Sequence, residues 1–192
     1  LILGAVNTYS GTVNINEGMI QMGTGGRLGA DNIGLTIRQG ASFDLDGVSL
    51  GTVGSGTASV NALNGSGTIT NSGALATLRV GNNNAGGYFT GPITGSNLHL
   101  VKNGSGTLSL TNNTSDFGAL TISAGTVAFA LPTGTTTMNA GASSPIGTGA
   151  TAANLVFNGG TLQYTGSNTT IFSETQSSSF STNREFTLAG NG

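Results

Sequence analysis

Cysteine and tryptophan are absent from the sequence, and charged residues make up only 6% of it, against about 25% in an average globular protein. Without cysteine, the chain has no disulfide framework and no metal site built from thiolates. Its seven acidic and five basic residues are scattered and give a net charge of −2, so no basic face is expected for nucleic acid or anionic lipid. No apolar run reaches the roughly 18 residues of a transmembrane helix, and no signal-peptide pattern is present.

Helix-forming residues are also scarce, whereas glycine accounts for 34 of the 192 residues. Each glycine inside a helix costs about 1 kcal/mol, and glycine interrupts almost every block of ten residues. The hydrophobic residues, 36% of the chain, recur in short alternating runs, which a disordered low-complexity chain lacks. The composition therefore predicts an all-β protein.

Short strands are predicted wherever apolar residues alternate with Thr, Ser, Asn, Asp or Arg, because alternation places the apolar side chains on one face of a strand. The predicted strands are Thr12–Asn16, Met19–Met22, Leu35–Arg38, Ser42–Asp46, Gly67–Thr70, Thr77–Val80, Leu98–Val101, Thr107–Leu110, Leu120–Ile122, Thr126–Phe129, Leu155–Phe157, Thr161–Tyr164 and Phe186–Leu188.

Internal repeats favour a β-solenoid over a sandwich or a barrel, which this strand spacing also allows. Residues 7–18 resemble residues 113–125, and a shorter echo links residues 64–69 to residues 103–108. Single glycines at most turns suit bends between the sides of a coil. Asparagine side chains are expected to form hydrogen-bonded ladders between stacked coils.

The stretch Asn7-Thr8-Tyr9-Ser10-Gly11-Thr12-Val13, followed by Asn16–Gly23, resembles the passenger-associated repeat of bacterial autotransporters. Lys102–Asn113 is similar to the opening half of that repeat. The second copy departs from the pattern at Ser115-Asp116-Phe117, so a differently shaped rung is expected there. The resemblance implies a right-handed parallel β-helix, displayed on or secreted from a Gram-negative-type cell, and often adhesion.

At roughly 20–25 residues per coil, the chain is predicted to form about 8–9 rungs. Residues 1–192 are expected to be a single β-helical segment of a longer chain, since the sequence opens at Leu1 without a methionine. Irregular loops are predicted near residues 131–153 and 173–183.

Few residues are candidates for chemistry. His99 alternates with Leu98 and Leu100 and is predicted to face the solvent. Asp44 and Asp46 are two residues apart and are predicted to point outward on the same face of a strand. Paired carboxylates at such a spacing can hydrolyse glycosides or bind Ca²⁺. An exposed solubilising pair is the favoured interpretation.

A glycan-processing site would also need basic groups beside that pair, and Arg38 and Arg79 are the nearest candidates. Tyr9, Tyr88 and Tyr164 could line a glycan groove, but residues so far apart in sequence more often pack at rung edges. No catalytic residue, metal ligand or cofactor site is therefore predicted.

The leading functional prediction is a structural stalk or spacer of an extracellular or surface-exposed bacterial protein, part of an adhesin and not an enzyme. One alternative is a self-assembling extracellular fibre subunit, and a weaker one is a polysaccharide-active β-helix enzyme. The expected partners are adjoining rungs of the same or a like chain, and host-cell or glycan surfaces. No nucleic acid and no membrane insertion by this segment are expected.

Overall fold

The computed structural model describes residues 1–30, 33–51, 59–132, 135, 137–166 and 181–189. These residues form short strands and one turn of 3₁₀ helix, Ala152–Asn154. No helix in this part of the chain is long and apolar enough to cross a membrane. The strands are β1 (Ile2–Leu3), β2 (Thr12–Ile15), β3 (Met19–Met22), β4 (Ile33–Ile37), β5 (Ser42–Asp44), β6 (Val60–Gly65), β7 (Thr68–Thr70), β8 (Ala76–Val80), β9 (Gly87–Phe89), β10 (Leu98–Lys102), β11 (Thr107–Leu110), β12 (Ala119–Ile122), β13 (Thr126–Phe129), β14 (Thr137–Met138), β15 (Leu155–Phe157), β16 (Thr161–Tyr164), β17 (Ser181–Thr182) and β18 (Thr187–Leu188).

Three stacks of strands, here called faces A, B and C, follow one another as the chain winds. Face A contains β2, β4, β6, β9, β11, β13 and β16. Face B contains β1, β3, β5 and β7 and continues at Ile93, which bridges to Ile69. Face C holds the bridge from Val6 to Arg27 and the bridge from Leu50 to Leu78 of β8, and it continues through β10, β12, β15 and β18.

Every strand pair in the described part of the chain is parallel, and each strand pairs with the strand one coil away. Val13 pairs with Leu35, and Leu108 pairs with Val127, so these coils take 22 and 19 residues. In the described residues, face A has seven strands, each of which begins a new coil, and a partial first coil that holds β1 precedes them. The prediction of a parallel β-helix is confirmed.

The core is a column of apolar side chains running along the inside of the coils. On face C the aligned leucines are fully buried or nearly so, and on face B an aromatic ring and two isoleucines are stacked in the same way. Each buried side chain of this size contributes about 1.5–3 kcal/mol, and none of them could be buried by a single coil. These residues are Leu50, Leu78, Leu100, Leu120 and Leu155 on face C, and Phe43, Ile69 and Ile93 on face B.

Asparagine side chains join consecutive coils at the corners between faces. Asn71 accepts a hydrogen bond from the N–H of Gly47 and donates to the carbonyls of Ala74 and Asn97. Asn103 donates to Oδ1 of Asn82 over 2.7 Å, a bond between two amide side chains in adjacent coils. Asn97 and Asn112 donate to backbone carbonyls, as Asn71 does, so the Asn103–Asn82 bond is the contact that corresponds to the predicted ladders.

The sixth full coil includes a long excursion before it returns to face C. Thr126 of β13 pairs with Thr161 of β16, a step of 35 residues, and β14 pairs with β17 in a separate sheet. The loop predicted near residues 131–153 falls within this excursion. Of the loop predicted near residues 173–183, residues 173–180 lie outside the described part of the chain.

Candidate functional site

Asp44 and Asp46 do not form the outward-facing pair that alternation predicts. Asp44 is only 3% exposed, whereas Asp46 is exposed and has a left-handed backbone with a φ of 46°. Alternation fails because the chain leaves face B after Asp44 and bends inward at Leu45, which is fully buried.

The Asp44 carboxylate is held by donors from two neighbouring coils. Oδ1 accepts bonds of 3.0 Å from the N–H groups of Asp46 and Ser72. Oδ2 accepts from the Ser72 hydroxyl at 2.6 Å and from Nε2 of Gln21 at 3.0 Å. Burial raises the pKa of Asp44, but the hydrogen bonds from Ser72, Asp46 and Gln21 outweigh it, and the pKa lies below its ordinary value.

These bonds make Asp44 a cap that ties three coils together. Arg38 lies at the corner between faces A and B, and Arg79 lies on face C opposite Val101. Neither is among the contacts that the structure gives for Asp44. The arrangement satisfies a buried carboxylate and leaves it without a basic partner for glycan chemistry.

The single histidine and the three tyrosines lie on separate parts of the shaft. His99 is half-buried on the outer side of face C, between Thr77 and Ala119 in the adjacent strands. Tyr88 is 58% exposed on β9, and Tyr9 precedes β2. Tyr164 of β16 packs against Phe129, with ring centroids 5.4 Å apart. The structure therefore does not bring the tyrosines together.

Lys102 is a buried cation that sequence analysis did not single out. It follows Leu98 and Leu100 in the inward positions of β10, is fully buried, and aligns with Val80 and Ile122. Its ammonium group donates to the carbonyls of Asn103 and Gly104, at the turn that ends the strand. Burial lowers the pKa of Lys102. Continued alternation from the two leucines was the signal that placed this lysine inside.

The two copies of the sequence repeat have the same local structure. In each, a three-residue bend joins two strands, and its last residue is a glycine with a positive φ, 69° at Gly18 and 65° at Gly125. The carbonyls of these glycines accept 2.9 and 2.8 Å bonds from Ser42 and Thr161 in the next coil. The repeat therefore specifies one corner of a coil.

An aromatic side chain that precedes this corner packs on a glycine of the next coil in both copies. A Cβ on Gly29 would lie 3.0 Å from the Tyr9 ring, and one on Gly147 would lie 2.9 Å from the Phe117 ring. The following residues donate to the aromatic residues' carbonyls, Ala30 to Tyr9 and Thr148 to Phe117. Phe117 thus replaces Tyr9 despite the departure at Ser115-Asp116-Phe117, although it is fully buried and Tyr9 is 43% exposed.

The two copies do not lie at the same corner. β2 and β3 place the first corner between faces A and B, whereas β12 and β13 place the second between faces C and A. The two copies of the shorter echo also lie at different corners. Residues 64–69 join β6 of face A to β7 of face B, whereas residues 103–108 join β10 of face C to β11 of face A. Sequence similarity alone gave no indication of this change of face.

Comparison with known proteins agrees with these features. Residues 1–22 and 100–129 match the family model described as Passenger-associated-transport-repeat. The whole chain is 36% identical over 197 residues to the Adhesin BmaC autotransporter of Brucella suis biovar 1 (strain 1330), of which it spans 5% of the length. No solved structure matches the chain. Residues 1–22 and 100–129 therefore carry the passenger-associated repeat, within a parallel β-helix.

Proposed function

We propose that this chain is a rigid spacer within the surface-displayed or secreted passenger of an adhesin-type autotransporter. The observation that carries the proposal is that every described strand from β1 to β18 pairs in parallel with a strand of an adjacent coil, and that corner side chains such as Asn71 and Asn103 bond adjacent coils to each other. At ~4.8 Å per level, a partial coil and seven full ones give a shaft about 40 Å long. A continuous core with few surface charges suits a rod that separates a binding region from the cell.

Bead adhesion tests the spacer role. Beads coated with the 192-residue chain are added to cultured host cells and to a glycan array, with beads carrying the same mass of unfolded chain as the control. A spacer leaves both kinds of bead at the same background. Saturable binding by the folded chain alone would overturn the spacer role and make this segment adhesive in its own right.

Apolar side chains exposed at the two ends favour a second candidate function, end-to-end assembly of like chains. Leu1, Ile2 and Val6 are 76%, 67% and 66% exposed at the first coil, and Leu188 is 73% exposed at the last described strand. Edges of this kind accept further strands. In this proposal, a second copy continues the column of core side chains.

Electron microscopy over a concentration series tests assembly, with lysine substituted at both ends (Leu1→Lys with Leu188→Lys). Leu75→Lys is the matched control, because Leu75 is 60% exposed at a corner in the middle of the shaft. Filaments from the unmodified chain and the control, but not from the end variant, would support assembly. Single stubs at every concentration would exclude it.

A further inference from the structure

The two copies of the shorter echo place an Asn-Gly pair in the middle of the shaft, Asn64-Gly65 in one and Asn103-Gly104 in the other. Asparagine before glycine is the dipeptide in which deamidation is easiest, because no side chain hinders attack of the glycine nitrogen on the asparagine amide. Gly65 lies inside β6 and pairs with a strand on each side. Gly104 lies in the turn between β10 and β11, with a φ of 62°. Strand pairing therefore fixes the first peptide and not the second.

The side chain of Lys102 contacts the Asn103-Gly104 peptide directly. Its ammonium group donates to the carbonyl of Asn103, which belongs to that peptide, and to the carbonyl of Gly104 at 2.8 Å. Lys102 is the one lysine of the chain and is fully buried, so these bonds are only weakly screened by water. A cation on this carbonyl stabilises the anion that forms when the Gly104 N–H loses its proton. Among the described residues, no acceptor holds that N–H.

The two asparagine side chains are restrained to a similar degree. Nδ2 of Asn103 donates to Oδ1 of Asn82 in the adjacent coil over 2.7 Å. Oδ1 of Asn64 accepts a bond of 3.0 Å from the N–H of Tyr88, also in an adjacent coil. The residue before Asn64 is the buried Leu63, in the place that Lys102 takes before Asn103. The chain thus contains its own comparison, with and without an ammonium group.

We propose that Asn103 is a site of self-promoted deamidation, in which the Lys102 ammonium activates the nitrogen of Gly104. Hydroxide takes the proton of the Gly104 N–H, and the nitrogen forms a bond to Cγ of Asn103. The bond from Cγ to Nδ2 then breaks, and Nδ2 leaves as ammonia with a proton from water. Water opens the resulting cyclic succinimide at either carbonyl and leaves aspartate or isoaspartate at position 103.

The product changes the corner between faces C and A. It adds a negative charge to the residue whose backbone carbonyl binds the Lys102 ammonium. Isoaspartate also lengthens the backbone by one methylene, at a point where even a Cβ on Gly104 would clash with the carbonyl oxygen of Gly81 in the next coil. The site is independent of the spacer role.

Peptide mapping by mass spectrometry tests the proposal on the folded 192-residue chain, incubated at mildly alkaline pH. The map resolves each site from the Asn-Gly pairs at residues 158–159 and 191–192. Asn103 should convert about tenfold faster than Asn64 in the same molecules, the factor that one charge-assisted hydrogen bond supplies. In urea, where the contacts are lost, the two sites should convert at similar rates. Conversion of Asn103 no faster than that of Asn64 in the folded chain would overturn the proposal.

Two variants separate the contributions of the neighbouring side chains. Lys102→Leu reproduces the sequence before Asn64 and should slow conversion of Asn103 about tenfold, with Asn64 unchanged as the internal control. Asn82→Ala alters an exposed residue and releases the Asn103 amide, so it should speed conversion at Asn103 alone. An unchanged rate at Asn103 in folded Lys102→Leu, or a slower one in Asn82→Ala, would contradict the assigned roles.

Discussion

The hydroxyl of Ser72 donates a 2.6 Å hydrogen bond to Oδ2 of Asp44, one coil away, while the Ser72 N–H donates to Oδ1 at 3.0 Å. Asp44→Asn removes the charge and turns an amide NH₂ toward these donors. We expect the free energy of unfolding to fall by about 1–3 kcal/mol, as measured by urea denaturation. Asp46→Asn is the matched control, because Asp46 is exposed and should change stability little.

The same carboxylate predicts an acid-dependent loss of stability. Its pKa is lower in the folded chain than the ordinary ~3.9 of the unfolded chain. The stabilisation is therefore present above the unfolded pKa and is lost as the pH falls through the folded pKa. Unfolding midpoints between pH 6 and pH 2 should fall more steeply for the unmodified chain than for Asp44→Asn, and parallel curves would contradict this.

Lys102 predicts that stability also rises with pH in the basic range. Burial lowers its pKa, so the folded chain releases the proton before the unfolded chain does, and the contribution to stability rises as the pH approaches the ordinary ~10.4. Lys102→Leu should abolish this rise, because leucine does not titrate. Leucine should also fit here, because the corresponding position of the shorter echo holds the fully buried Leu63. At pH 7, Lys102→Leu should be close to neutral, whereas Lys102→Ala should cost about 2–4 kcal/mol by leaving a cavity. Similar large losses in Lys102→Leu and Lys102→Ala would show that the two carbonyl bonds matter more than packing.

Gly106 tests how closely the backbones of adjacent coils approach. A Cβ at this position would lie 2.5 Å from the carbonyl oxygen of Asn84, which is too short for any real contact. Gly106→Ala should therefore separate two coils and lower the thermal unfolding midpoint by several degrees. Gly4→Ala is the control, because a Cβ on Gly4 meets nothing within 4 Å and the midpoint should stay unchanged.

The aromatic residues of the two repeat copies should differ in energetic weight. Phe117 is fully buried, and Phe117→Ala should cost about 3–5 kcal/mol. Tyr9 makes the equivalent contact at 43% exposure, so Tyr9→Ala should cost clearly less. Chemical denaturation of both variants checks this, and equal losses would mean that ring burial is not what stabilises the corner.

Alternation predicted most of the strands, because a buried column requires an apolar residue at every second position, but it missed β6 and β9. The repeats and the family resemblance, not alternation, favoured the β-helix over a sandwich or a barrel. Alternation also failed where the chain turns. At Asp44 the bend reverses the expected direction of the side chain, and the donors that make burial tolerable come from Gln21 and Ser72, 23 and 28 residues away. Pairing between coils depends on the length of each corner, which local patterns do not encode.

The surroundings of Asn103 could not be predicted for the same reason. In the sequence, both copies of the shorter echo contain the same Asn-Gly pair, one after Leu63 and the other after Lys102. Only the alignment of the coils sets the Asn103 amide against Asn82, 21 residues earlier, and places Gly65 inside a strand with a neighbour on each side.

Because the repeat specifies a corner and not a whole coil, its spacing along the chain is free. Copies separated by a non-integral number of coils point in different directions around the shaft axis, as the corners at Gly18 and Gly125 do. A β-helix built this way can lengthen by duplicating segments that are not multiples of any fixed period. It can also distribute appended loops around its circumference, so that neighbouring appendages do not crowd one side.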